Sequence, residues 1–280
     1  MAPRRGVDIA DWTKLGRVNI TMRKKALAFL LATIVSAGLA VASLPARSRP
    51  VLGVELSLSR NDLWRVVHRV CIPASQISLP FPCTKVVQQD GDAAGYAILP
   101  VGAGHILTVP TQRITGIESR EVFSPEQPNY WQAAWEQRAR LDDDFSRKLD
   151  RSDVALALNS AYGRSQDQLH IHTACVKSEV KAALADDRAI GPRWSRLPTS
   201  IGGSFYSVRW APGDDLTALN VFDMLPPYLR RSPAAMARQT LVVVGGWDRN
   251  HAPGFYILND QAGVHANGHG EGLLDFDCAR

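Results

Sequence analysis

With 280 residues, 45% of them hydrophobic, the chain can bury a sizeable core, which excludes disorder as its general state. Its formal charge of +5 is no nucleic-acid signature. Up to Lys25, seven cations (Arg4, Arg5, Lys14, Arg17, Arg23, Lys24, Lys25) face only Asp8 and Asp11, so the whole excess lies in this tail and the remainder is near neutral.

After the basic tail, residues 26–44 (Ala-Leu-Ala-Phe-Leu-Leu-Ala-Thr-Ile-Val-Ser-Ala-Gly-Leu-Ala-Val-Ala-Ser-Leu) carry no charge. As a helix they would span about 28 Å, enough to cross a bilayer. A buried core helix is the competing reading, but a surface-facing core helix keeps a polar side and this segment has none. The segment is therefore expected either to stay as a transmembrane anchor or to be a signal segment, with Met22 as an internal start and Ala40-Val41-Ala42 as a small-residue cleavage site. Either way the basic flank holds residues 1–25 in the cytoplasm and places everything after about Pro45 outside. Residues 45–57 are expected to be a linker and 58–280 the folded domain.

Along that domain, residues 61–70 have helical spacing with Asn61 or Asp62 as N-cap. Residues 95–99 and 105–109 read as a hairpin around a Gly-rich turn. A helix is predicted from about Tyr130 to Leu149, its Trp131 and Trp135 serving as packing residues. Residues 154–158 and 169–176 read as two strands joined by a polar, glycine-containing loop. A helix near 180–186 and strands near 204–210, 241–245 and 255–258 follow. His265 and His269 fall in a Gly-rich stretch read as a surface loop. Helix and strand mix without a regular alternation, which predicts an α+β domain built on an antiparallel sheet.

Cys71, Cys83, Cys175 and Cys278 are an even set that allows three pairings in an oxidising compartment. Proximity across a Pro-rich loop favours Cys71 with Cys83, leaving Cys175 with Cys278; four buried thiols are the alternative.

The candidate chemistry lies in Gln168-Leu169-His170-Ile171-His172. In an extended strand Gln168, His170 and His172 face one side and Leu169 and Ile171 the other, with same-face neighbours about 6.6 Å apart, close enough for two imidazoles to address one phosphate. A metal site is disfavoured because Cys175 falls on the opposite face and no carboxylate stands at a useful spacing. A merely solvated His-x-His face is the bland alternative. Upstream, Gly163 would let backbone N–H groups approach a phosphate, and Asn159 and Ser165 offer neutral hydrogen bonds to its oxygens.

The stretch from Asn159 through Gly163-Arg164-Ser165 to His172 resembles the histidine-triad superfamily. Together with Pro110-Thr-Gln-Arg-Ile-Thr-Gly-Ile-Glu-Ser119, Pro128-Asn-Tyr-Trp-Gln-Ala-Ala-Trp135 and the cysteine placement, the chain resembles the bacterial CDP-diacylglycerol pyrophosphatase family. The resemblance implies a HIT-like fold, an antiparallel sheet flanked by helices and preceded by one hydrophobic helix. It implies a single-pass protein of the bacterial inner membrane with a periplasmic catalytic domain, and structural disulfides.

It further implies hydrolysis of CDP-diacylglycerol to CMP and phosphatidate without a cofactor. His170 would be the nucleophile, His172, Ser165 and Gln168 its catalytic neighbours, and Asn159, Gly163 and Arg164 substrate-binding residues. His170 must be neutral to attack, so its other nitrogen should be held as N–H by an acceptor such as a backbone carbonyl. Gln168 stands where the triad has its first histidine and cannot carry a proton at neutral pH, which bears on the acid and orienting network. The partner implied is CDP-diacylglycerol in the membrane; no nucleic acid is expected. Rival readings are a histidine-triad hydrolase or nucleotidyltransferase acting on another nucleotide conjugate, and a non-catalytic membrane-tethered module.

Overall fold

A computed structural model describes residues 59–88, 94–186, 190–263 and 268–279. The chain divides into two units at Ser57/Leu58. The first unit, with the expected hydrophobic helix, lies outside the described residues, as does His265. Among the described residues no helix is long and apolar enough to cross a membrane.

The second unit is α+β. Its strands are β1 (Lys85–Gln88), β2 (Gly95–Gly102), β3 (His105–Pro110), β4 (Val154–Leu158), β5 (Ile171–Val176), β6 (Ser195–Arg196), β7 (Ser207–Pro212), β8 (Gln239–Trp247), β9 (Pro253–Gln261) and β10 (Leu274–Asp275). They form one antiparallel sheet in the order β1-β2-β3-β5-β4-β8-β9-β7-β6, with β10 continuing the β3 side of β5. The predicted hairpin β2–β3 is present, and the two further strands expected, β4 and β5, pair antiparallel. In the hairpin, Gly104 takes φ +70°, and a Cβ there would strike the Phe145 ring. β8 is buried on both faces, which is why its Thr-Leu-Val-Val-Val run lacks alternation.

The helices are α1 (Asp62–Val66), α2 (Ile72–Ser75), α3 (Tyr130–Glu136), α4 (Arg138–Asp144), α5 (Ser178–Asp186), α6 (Pro227–Arg230) and α7 (Pro233–Met236). A π-helical stretch, Val67–Cys71, joins α1 to α2. Asn61 stands at the N-cap of α1, one of the two positions expected, but makes no side-chain capping bond, and the Asp62 carboxylate accepts from Ser59 N–H at 2.8 Å. The helix predicted over 130–149 is shorter and divided. It breaks at Gln137, Ser146 adopts φ +49°, and the Asp142 carboxylate accepts from Leu149 N–H, turning the chain back.

One face of the sheet carries Leu156, Leu158, Ile171, Leu241, Val243 and Phe255, packed under Trp131, Trp135 and Leu141 of α3 and α4. Both tryptophans are buried, as a packing role requires. The other face is covered in two places. Ala157, Ala174, Val242 and Val244 lie under α5, and Leu63, Val67 and Cys71 from α1 and the π turn lie on Leu99, Leu107 and Val109. Between these two covered patches, over β3, β5 and β4, that face carries imidazoles.

Disulfides Cys71–Cys83 and Cys175–Cys278 are formed, the pairing expected from sequence, and no described cysteine is free.

Candidate active site

β4 ends at Leu158 and the chain then makes a tight turn. Ser160 accepts from the N–H groups of Gly163 and Arg164 through its carbonyl oxygen, and from Tyr162 and Gly163 through Oγ. Gly163 thus spends its N–H inside the turn rather than on an incoming anion. Its lack of a side chain serves a different purpose: a Cβ would fall 2.3 Å from the Gly268 carbonyl oxygen, so glycine is what lets the C-terminal loop close against this turn.

Arg164 is held in an ion-pair network of its own. Its guanidinium donates to both oxygens of Glu118 at 2.7 Å and to Asp167 at 3.1 Å, while Arg60 forks onto Asp167 at 2.8 Å. Such bidentate pairs fix geometry as well as charge, so this network clamps the loop. The Arg60 hydrogen bond, reinforced by Arg164, holds the Asp167 carboxyl down at about 2. Ser165 is exposed on the same loop.

Gln168 is fully buried just before β5. Its Nε2 donates to the carbonyls of Pro110 (3.1 Å) and Gln112 (2.8 Å), while its Oε1 is buried without a partner. Gln168 therefore ties the approach to β5 onto the end of β3, an orienting use of two N–H donors that needs no titratable proton. Its backbone carbonyl has a second use: it lies 2.6 Å from His170 Nδ1. A carbonyl can only accept, so Nδ1 carries the hydrogen and the lone pair resides on Nε2.

His170 and His172 sit on the face opposite Leu169 and Ile171, as strand alternation requires, with ring centroids 4.9 Å apart. His172 Nδ1 is 2.9 Å from His105 Nε2. Its Nε2 is 3.1 Å from Glu271 Oε2, close enough to pair but out of hydrogen-bond alignment. His105 stacks on Phe276 at 4.1 Å. Glu271 is set by its own N–H, which donates to Asn159 Oδ1 at 3.1 Å, and its other oxygen is 3.6 Å from His269 Nδ1. Asn159 thus places a carboxylate beside the imidazoles.

Burial pushes all three imidazoles down from 6.5. In His170 the Gln168 carbonyl and Glu271 oppose the effect; in His172, held well below, the neighbouring His170 and His105 add to it; in His105 Glu271 opposes it. At neutral pH the site offers a neutral imidazole with a fixed tautomer and a free Nε2 lone pair, flanked by a second imidazole and a carboxylate. A neutral imidazole with its lone pair on a defined nitrogen is the form an attacking imidazole requires.

Of the residues expected from sequence, His170, His172, Gln168 and Asn159 meet here, while Gly163 and Arg164 build the loop. His105 and Glu271 were not anticipated. His105 opens a strand with no motif around it. Glu271 ends the Gly-rich stretch read as a surface loop, and among its described residues Gly270 and Glu271 enter a 3-10 turn, Gly270–Leu273, that brings the Glu271 carboxylate to the site. Cys175, bonded to Cys278 on the opposite face, is withdrawn from any metal set with the histidines. Among the described residues no cluster of three or more His, Cys, Asp or Glu is placed to hold a metal ion.

The family model for CDP-diacylglycerol pyrophosphatase matches residues 58–280. A relative described as CDP-diacylglycerol pyrophosphatase, from Yersinia pestis, is 33% identical over 230 residues, covering 80% of this chain and 83% of the relative. With the folded unit and its imidazole site both inside the matched span, the chain belongs to the CDP-diacylglycerol pyrophosphatase family.

Proposed function

We propose that the protein hydrolyses CDP-diacylglycerol to CMP and phosphatidate through a covalent intermediate on His170. One observation carries the choice of nucleophile: the Gln168 carbonyl fixes the hydrogen on His170 Nδ1 and so presents Nε2 as a base-free attacking atom.

In the first step Nε2 attacks the cytidine-bearing phosphorus. The N–P bond forms, the anhydride P–O bond breaks, and phosphatidate leaves with the bridging oxygen and its electron pair. An anionic phosphate-type leaving group needs little protonation, so a glutamine at position 168 is tolerable here. In the second step water attacks the cytidylyl phosphorus, the N–P electron pair returns to Nε2, and CMP departs. Glu271, beside His172, is the group suited to take the water's proton. His172 stabilises phosphoryl oxygen charge, and the exposed Ser165 is available to the leaving oxygen.

The Gly163-Arg164-Ser165 and His170-Ile171-His172 spacing supports a HIT-like assignment within the α+β class. Residues 26–44 are read as the anchor of a single-pass inner-membrane protein with residues 58–280 in the periplasm, cleavage as a signal segment being the alternative. The two disulfides favour such an oxidising compartment.

Quenching turnover of cytidine-labelled substrate and mapping the label tests the mechanism. The expected result is a CMP adduct on His170, absent from a folded, inactive His170→Ala protein. Release of CMP only from soluble nucleotide conjugates would sink the lipid assignment, and full activity of His170→Ala would sink the nucleophile.

A further inference from the structure

The disulfide Cys71–Cys83 closes a loop whose tip is unusually apolar for an exposed segment. Ile77, Leu79 and Phe81 are 71%, 66% and 80% exposed, and nothing among the described residues covers them. Large apolar side chains grouped in water at one tip mark an interaction surface.

Three features say what it meets. First, from Val70 to Thr84 the chain carries no charge, yet Arg69 and Lys85 bound it on either side. Arg65, Arg69 and Arg113 line an adjoining open depression of about 680 Å³ that reaches Pro73, at the root of the loop. Arg65 pairs with Asp62, whereas Arg69 and Arg113 face no carboxylate among the described residues. An apolar tip with a cationic collar matches an acyl layer beneath anionic headgroups.

Second, the backbone N–H groups of the tip are satisfied internally. Gln76, Ile77, Ser78, Leu79 and Phe81 donate their N–H groups to Pro73, Ala74, Ser75, Ala74 and Leu79, and Pro80 and Pro82 have none to donate. Paired or absent donors lower the cost of carrying this segment out of water and into the headgroup–acyl boundary.

Third, the loop stands on the site's side of the sheet. Leu63, Val67 and Cys71 pack on Leu107 and Val109, and Leu107 is in register with His172 across β3–β5. Residues opposite one another share a face.

We infer that the Cys71–Cys83 loop is a membrane-docking element that inserts Ile77, Leu79 and Phe81 into an anionic lipid surface and holds the imidazole site against the bilayer bearing its substrate. The disulfide and prolines preorganise the tip, so little ordering is needed on insertion. The inference rests on the lipid substrate proposed above.

Two measurements on the full chain test it. Hydrogen exchange of residues 76–82 is followed with and without phosphatidylglycerol vesicles; protection of the side-chain-bearing tip on vesicles is expected. Turnover is compared between CDP-diacylglycerol in such vesicles and a short-chain, monomeric analogue, for the native protein and a combined Ile77→Ser, Leu79→Ser, Phe81→Ser variant. The vesicle rate should fall about tenfold or more while the short-chain rate stays within about twofold. Unchanged vesicle turnover in the variant, or tip exchange indifferent to vesicles, overturns the docking role. So does protection that tracks protein concentration without lipid, which would make the tip a protein contact. Failure of the native protein on both substrates would instead refute the proposed function, and the exchange measurement would still decide the docking.

Discussion

The two disulfides close loops of very different length, 12 and 103 residues in sequence separation. Removing each pair by substitution to Ala gives a quantitative comparison within one fold. All four half-cystines are buried, so the loss of sulfur packing is similar and the difference should reflect chain entropy. By the loop-closure relation, the short loop restrains the unfolded chain by about 2.9 kcal/mol and the long one by about 4.7 kcal/mol. For a domain of this size the Cys175→Ala/Cys278→Ala protein should melt about 4–7 °C below Cys71→Ala/Cys83→Ala.

The long-loop pair should also impair turnover well below its melting temperature. Cys278 pins the segment bearing Phe276, which stacks on His105, and its carbonyl accepts from Arg147. The check is urea and thermal unfolding of both variants alongside rates at 20–25 °C. If the short-loop variant is the less stable, or if the long-loop variant keeps full activity, then neither loop entropy nor the C-terminal pin explains what Cys175–Cys278 does.

Three further outcomes follow from the site and its loop. Burial lowers the His170 and His172 pKa from 6.5, and only the neutral imidazole attacks, so kcat/KM should hold level as pH falls to 6.5 and decline only below it. A decline centred above 6.5 in the pH–rate profile would contradict the burial argument. The same shift acts on stability: below pH 6.5 the unfolded chain takes up protons that the folded imidazoles refuse, so stability should fall with pH from there. Glu118→Ala leaves Arg164, whose side chain is 7% exposed, with Asp167 alone. Discounted for the 20% exposure of Glu118, the loss should be about 2 kcal/mol, read as a melting shift of about 4–8 °C with KM little changed. A raised KM at unchanged melting temperature would return Arg164 to the substrate.

Much of this molecule could be read from local pattern. Alternation along Leu169-His170-Ile171-His172 put both histidines on one face because strand side chains alternate wherever the strand sits. The short separation of Cys71 and Cys83 favoured their pairing, and Trp131 and Trp135 declared themselves as core by size. The hairpin of strands near 95–99 and 105–109 was legible because neighbouring strands pair most readily, and strands near 154–158 and 169–176 were legible from their apolar runs. The 130–149 helix was overextended because periodicity does not see the Asp142 carboxylate recruiting Leu149 N–H.

The assembly of the site belongs to tertiary structure. His105 reaches His172 across β3–β5, 67 residues away, and Glu271 is placed by Asn159 from 112 residues away. Neither carries a local signal, since sequence periodicity records which way a side chain points and not what stands opposite. Gly163 illustrates the same limit. The motif marked a position where backbone must come close, and the folded chain brings Gly268 there. Sequence alone supplied the two histidines and the face they occupy; the register of antiparallel strands and the return of the C-terminal loop supplied their neighbours.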